Sequence, residues 1–177
     1  LISILKAQKP VAIITEERVE NLKGRVWVLI PVEARQHLSF YSNGGTRGFG
    51  FDEYGNVIEY YRHDLSHDEK QEVIDVIKTV LKDDEYEMMP RDYKVKIRIR
   101  SKSIERKRKI AEDIQNKLKE RNLPYTVTFQ GRSYINIFKV DKVYAARDFM
   151  KRSGLNEEDT LIVGDSARSF GADRKLL

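Results

Sequence analysis

Asp141-Lys142-Val143-Tyr144-Ala145-Ala146-Arg147-Asp148-Phe149-Met150-Lys151-Arg152 and, beyond a Gly154 stop, Thr160-Leu161-Ile162-Val163-Gly164-Asp165-Ser166 decide how this chain folds. Asp141 is a helix N-cap type, the apolar spacing after it is helical, and glycine is the usual stop. The short apolar run that follows predicts a buried strand with the Asp165 carboxylate at its C-terminal tip, and Ser166 onward reads as helical. Open α/β sheets bind ligands outside such tips.

Outward from that unit, Val11-Ala12-Ile13-Ile14 is a second short apolar run and predicts a parallel-sheet strand buried on both faces. Thr15 is its N-capping successor, with a helix expected over 16–23. Arg25 to Ile30, stopped by Pro31, reads as a further strand, and residues 38–41 as another that runs into Ser42-Asn43-Gly44-Gly45. Residues 47–51 and 57–62 flank Asp52-Glu53-Tyr54-Gly55-Asn56, a hairpin pattern.

Ser66-x-x-Glu69 is a capping box opening a helix with the stripe Val73, Val76, Ile77, Val80 and Leu81. Residues 93–100 alternate: Tyr93, Val95, Ile97 and Ile99 against Lys94, Lys96, Arg98 and Arg100, a half-buried strand with a basic open face. Ser103 caps a helix that buries Ile104, Ala111, Ile114 and Leu118, and residues 125–129 and 134–138 form a hairpin around Gly131. The order β-β-α-β-α-β-β over 46–138 predicts a domain inserted into a Rossmann-like α/β core contributed by 1–45 and 139–177.

The chain has 177 residues, 40% of them hydrophobic and 34% charged, enough apolar content for a packed core. No apolar run approaches the roughly 20 residues of a membrane span. There is no cysteine, which removes disulfides and thiolate metal sites and fits a cytoplasmic location. His37, His63 and His67 show no metal-ligand spacing. A net charge of +5 favours an anionic partner. Between Arg91 and Lys109 ten side chains are basic, so nucleic acid is a competing partner class. Exposed aromatics do not interleave with those charges as a base-stacking platform requires, which weighs against it.

Three side chains carry candidate chemistry. A Thr15 hydroxyl at a strand tip can donate to an oxyanion. Lys142 sits at a helix start, where a cation opposes the dipole unless an anion is near. Asp165 at a strand tip is a hard oxygen ligand suited to Mg²⁺. Each has a plain alternative: an N-cap for Thr15 and Asp165, a surface lysine for Lys142.

Taken together, Asp141-Lys142, Met150 to Leu155 and Leu161-Ile-Val-Gly-Asp165-Ser166 resemble the haloacid dehalogenase-like hydrolases, in the Cof and sucrose-phosphatase branch with a large α/β cap. Ile13-Ile14-Thr15-Glu16-Glu17-Arg18 looks like that branch's "TGR" motif, and Ser42-Asn43-Gly44-Gly45 with Asp52-x-x-Gly55-Asn56 like its "NGA…d.dG" entry to the cap. The resemblance implies a Mg²⁺-dependent phosphatase acting on a small phosphorylated metabolite, with a sugar phosphate as one candidate, through an aspartyl-phosphate intermediate. It implies that Thr15 hydrogen-bonds the phosphoryl group, that Lys142 offsets its charge, and that Asp165 holds the metal. Asn43, Lys94, Lys96 and Arg98 are the implied substrate-binding residues, the last three on a cap sheet whose open face roofs the site.

The chain departs from the family pattern in specific places. No "DxDGT" motif occurs in residues 1–177, Ser169 stands where the second aspartate of "GDSxND" belongs, Arg168 replaces its Asn, and Val143 follows Lys142. The chain begins Leu1-Ile2-Ser3 without Met and ends within an apolar pattern. Two expectations follow: the nucleophile lies on a segment outside these residues, or the protein is a divergent member that does not hydrolyse phosphate esters. Substrate identity and oligomeric state are not encoded legibly.

Overall fold

A computed structural model describes residues 1–130 and 133–163 of the chain, which divides into two compact units. The first comprises Leu1–His63 with Val140–Ile162, and the second is built on Asp64–Lys139.

In the first unit, β1 (Val11–Ile14) pairs in parallel with β2 (Leu38–Ser42), in register Val11 to Leu38 through Ile14 to Tyr41. A parallel pair cannot be closed by a tight turn. The connection uses α2 (Val19–Arg25), a 3₁₀ turn (Trp27–Leu29) and α3 (Val32–Arg35), after an opening helix α1 (Ile2–Lys6). The strand expected over 25–30 is therefore helical. Its apolar residues do not alternate between faces: Trp27 and Ile30 anchor it in the core, while Val28 and Leu29 stay exposed. The Trp27 ring packs on Phe40 and Phe51, centroids 5.1 and 5.4 Å away.

β2 is followed by a 3₁₀ turn (Asn43–Gly45), and β3 (Arg47–Phe51) returns antiparallel to it, with β4 (Val57–Arg62) beyond. The hairpin expected to open the inserted domain thus extends the first sheet, in order β1-β2-β3-β4. Hairpin grammar specifies the local turn, whereas sheet membership depends on the long-range pairing of Phe40 with Phe49. Alternation along β2 sends Phe40 into a core with Leu5, Leu22, Trp27 and Ala34. It sends Tyr41 to the other face, against Ala145, Phe149 and Met150 of α6 (Lys142–Ser153). Helices therefore cover both faces of the sheet. β1 is partly exposed along its length, not buried as expected, because it is the edge strand among the described ones.

Residues 160–163 are not a strand, and Leu161 and Val163 are 88% and 86% exposed. A strand exists only where its backbone groups find a ladder, and no described strand pairs with this run.

The second unit is an antiparallel sheet in order β5-β6-β8-β7, formed by Tyr86–Met88, Lys94–Ile99, Tyr134–Phe138 and Thr126–Gln130 respectively. The alternation of β6 sends Val95, Ile97 and Ile99 into a core with Val73, Val76 and Ile77 of α4 (His67–Val80) and Ile110, Ala111, Ile114 and Leu118 of α5 (Ile104–Glu120). Both capping expectations are met. Glu69 N–H donates to Ser66 Oγ (3.1 Å), Ser66 N–H to the Glu69 carboxylate (2.8 Å), and Arg106 N–H to Ser103 Oγ (3.1 Å). Among the described residues no helix is long and apolar enough to cross a membrane.

Candidate active site

At the C-terminal end of the parallel pair, the first unit gathers three of the residues singled out by sequence. Thr15 follows β1, Asn43 follows β2, and Lys142 is the first residue of α6. Backbone bonds tie the two strand tips together: Thr15 N–H donates to the Tyr41 carbonyl (2.8 Å), Gly44 N–H to the Thr15 carbonyl (2.9 Å), and Asn43 N–H to the Glu17 carbonyl (3.0 Å). Thr15 does not cap α2, whose N-cap is Arg18. Its Oγ1 accepts from Glu17 N–H (3.1 Å), which leaves the hydroxyl proton available for an oxyanion.

The Asn43-Gly44-Gly45 turn has φ of 55°, 75° and 100°, a run that asparagine and glycine adopt at low steric cost. Gly45 has a second constraint: a Cβ there would lie 2.7 Å from the Asp141 carbonyl oxygen. The turn therefore seats directly on the start of α6. Asp141 caps that helix, its Oδ1 accepting from Val143 N–H (3.1 Å) and Tyr144 N–H (3.2 Å). Strand tips and Lys142 are brought to one end of the sheet by this contact. Asn43 is buried, and its Oδ1 has no hydrogen-bond partner among the described residues.

Side chains from β2, β4 and α6 buttress this end. Tyr41 OH donates to Asp148 Oδ2 (2.9 Å), which also accepts from Arg152 Nε (2.7 Å). Tyr61 OH donates to the Gly45 carbonyl (2.7 Å). Burial pushes both tyrosine hydroxyls far above the ordinary tyrosine range, so they remain protonated donors. His63 Nε2 lies 3.1 Å from Tyr144 OH. None of these side chains was singled out from sequence. Tyr41 and Asp148 are 107 positions apart, and no local pattern announces their contact.

Lys94, Lys96 and Arg98 lie on one face of β6 in the second unit, opposite its core face. That face is less open than expected. Lys94 is buried, its ammonium 5.0 Å from the Phe138 ring centroid and 5.3 Å from that of Tyr93. Lys96 Nζ stands 3.9 Å from the Tyr134 centroid. Aromatic faces accept a cation in this way, and cross-strand register supplies them: Lys94 faces Phe138, and Arg98 faces Tyr134. Arg98 is exposed, with Nη1 4.0 Å from Glu87.

Asp165, expected to be a metal ligand, lies outside the described residues, as do Arg168 and Ser169. Among the described residues no group of three or more His, Cys, Asp or Glu side chains gathers to hold a metal ion.

No protein-family model and no curated protein sequence matches the chain. Solved structures do. The N-terminally truncated, IMP-bound IMP-nucleotidase of Plasmodium falciparum matches with a TM-score of 0.77 at 13% identity, over 98% of this chain and 54% of that one. The sucrose-phosphatase of Synechocystis, solved with sucrose and phosphate, matches at 0.60 and 13% identity, over 93% and 65%. The C-terminal domain of Candida albicans trehalose-6-phosphate phosphatase matches at 0.52 and 11% identity, over 90% and 55%. The chain spans about half the length of the IMP-nucleotidase structure. The chain shares the fold of these phosphatase structures, in keeping with the α/β architecture expected from the motifs.

Proposed function

We propose that the chain is part of a phosphatase for a small phosphorylated metabolite, with Thr15 and Lys142 holding the transferring phosphoryl group. The observation that supports this most is the junction of the Asn43–Gly45 turn with the start of α6, which carries Thr15 and Lys142 to the same end of a parallel strand pair. Ligands of open α/β sheets bind at that end. A hydroxyl proton and an ammonium there suit the equatorial oxygens of a phosphoryl group, whose transfer rests on positioning and electrostatic stabilisation. The structural neighbours are named for IMP, sucrose phosphate and trehalose 6-phosphate, so nucleotides and sugar phosphates are the substrate classes to test first.

In this reading Arg98 and Lys96 recognise anionic groups of the substrate, and Asn43 offers its buried Oδ1 as an acceptor. Magnesium enters through Asp165 alone. The described residues do not by themselves make a metal site, so no step is routed through the ion. An aspartyl-phosphate mechanism also needs a nucleophilic aspartate, and residues 1–177 contain no Asp-x-Asp pair. That role is assigned to a segment outside these residues, in a cytoplasmic protein.

The test is phosphate release by the full polypeptide from a nucleoside monophosphate and a sugar phosphate. Lys142→Met is expected to lower kcat by about 10²–10³-fold, the loss typical of one preorganised electrostatic group. Undiminished turnover removes Lys142 from the mechanism. The substitutions at Arg168 and Ser169 favour a second reading, a family member that binds phosphate without hydrolysis. Orthophosphate binding without turnover of either substrate class supports that one instead.

A further inference from the structure

Lys107 is the most anomalous side chain of the second unit. It lies on the stripe Ile104, Lys107, Ala111, Ile114, Leu118 that α5 turns toward the sheet, and it is only 6% exposed. A buried ammonium is costly, and an apolar side chain of the same length serves packing better. The cost is raised by position. Lys107 is in the first turns of a 17-residue helix, next to Arg106 and Arg108, where the positive end of the helix dipole disfavours cations.

Beside it is a cavity of about 500 Å³, the size of a small-molecule site. Arg98, Arg100, Ser101, Lys102, Lys107 and Ser133 line it, and Glu87 is the one carboxylate in the lining. Lys107 Nζ donates to Ser133 Oγ (3.3 Å). Arg100 Nη1 donates to the Asp84 carbonyl (3.0 Å), a neutral partner that leaves its charge in place. Arg106, by contrast, is paired with Glu85. Four cations thus face one carboxylate across a concave wall that also offers two hydroxyls. A smaller cavity of about 150 Å³ adjoins Arg100 and Arg106, but there Glu85 pairs with Arg106.

We propose that this cavity, lined by residues of the second unit, is a binding site for a small molecule carrying two or more phosphate groups and holds it without Thr15 or Lys142. Lys107 is its fixed inner charge, Arg100 and Lys102 close on the ligand from the rim, and Ser101 and Ser133 donate to phosphate oxygens. A nucleic acid is the less suitable ligand: the cations converge on a pocket and do not form a stripe, and no aromatic side chain lines it for base stacking.

Inorganic tripolyphosphate titrated into the chain by calorimetry at two salt concentrations tests this. Saturable binding with a Kd that rises with salt is expected, and it survives in Lys142→Met. Lys107→Met raises Kd at least tenfold. Because Lys107 is buried, Arg100→Ser combined with Lys102→Ser, both exposed, provides the decisive variant and weakens binding by a similar factor with unchanged melting temperature. The site is rejected by an absence of saturable binding at millimolar tripolyphosphate, by loss of binding in Lys142→Met, or by a Kd unmoved in the rim variant. Tight retention of a single-stranded oligonucleotide that tripolyphosphate does not displace also rejects it, in favour of a nucleic-acid surface.

Discussion

The two units bury polar atoms differently. In the second, the described core is almost wholly apolar: seventeen residues from Leu65 to Ile137 form one cluster between two helices and a sheet. Lys94 and Lys107 are buried but held by ring faces and a hydroxyl, and Thr128 Oγ1, within the sheet, has no hydrogen-bond partner among the described residues. In the first, Ser42 Oγ and Asn43 Oδ1, adjacent at the tip of β2, are buried without hydrogen-bond partners among the described residues, as is Trp27 Nε1. Native proteins rarely leave such atoms unmatched, and where they do the site has a reason. Here the two are neighbours at a strand tip, beside a left-handed turn and a helix start, at the end of the sheet where the phosphoryl site is proposed. The contrast is between a unit whose helices and sheet close over one apolar cluster and a unit that gathers unmatched polar atoms at the strand tip of the proposed site.

The packing half of that contrast is broken most severely inside the second unit. Ile114, fully buried on α5, becomes a cavity in Ile114→Ala, with an expected loss of about 2–5 kcal/mol in denaturant unfolding. A loss below about 1 kcal/mol contradicts a tightly packed core.

The site half is sharpened by Gly45→Ala. The methyl group meets the Asp141 carbonyl at 2.7 Å, and φ of 100° is unfavourable to any L side chain. Strain of this kind costs about 1–3 kcal/mol, less than the core cavity. Because the displaced partner is the start of α6, activity or orthophosphate binding is expected to fall further than the melting temperature predicts. Equal losses in both make the turn a structural element only.

Legibility in the sequence follows the same division. The second unit could be read because each element carries its own signal: the capping box at Ser66, the N-cap at Ser103, and the alternation of 93–100. Local physics and tertiary structure agree there. In the first unit they do not. Val26 to Ile30 has strand composition, yet a parallel crossover required a helical connection, and Trp27 found its partners in Phe40 and Phe51. The hairpin of 47–62 was legible as a hairpin but not as part of the first sheet, since either sheet could have accepted it. Apolar residues 160–163 carried the right composition for a strand without a described partner. Of the site, Thr15, Lys142 and the Asn-Gly-Gly turn were visible because strand ends, helix starts and positive φ leave marks on residue type. Tyr41, Tyr61 and Asp148 left none. Lys107 was hidden inside a run of charges, although its position on the apolar stripe of α5 was a usable signal.

The smallest expected effect concerns charge at the surface of the second unit. The Lys139 ammonium, 2.6 Å from the Glu69 carboxylate, holds that carboxyl below its ordinary value of 4.5, with further help from the Ser66 N–H. A carboxylate favoured in the folded state contributes stability that is present above pH about 4.5 and is lost as pH falls through the lower folded value. Partial exposure and solvent screening keep the contribution small. Glu69→Gln keeps an acceptor for the Ser66 N–H and removes the charge, so at neutral pH it costs a few tenths of a kcal/mol by the scale of surface pairs. Below pH 4 the variant and the parent converge, since the parent carboxyl is then becoming neutral. Unfolding curves at pH 7 and pH 3.5 measure the difference. A gap that widens at the lower pH reverses the sign and removes the ion pair, leaving the second unit's stability to its apolar core.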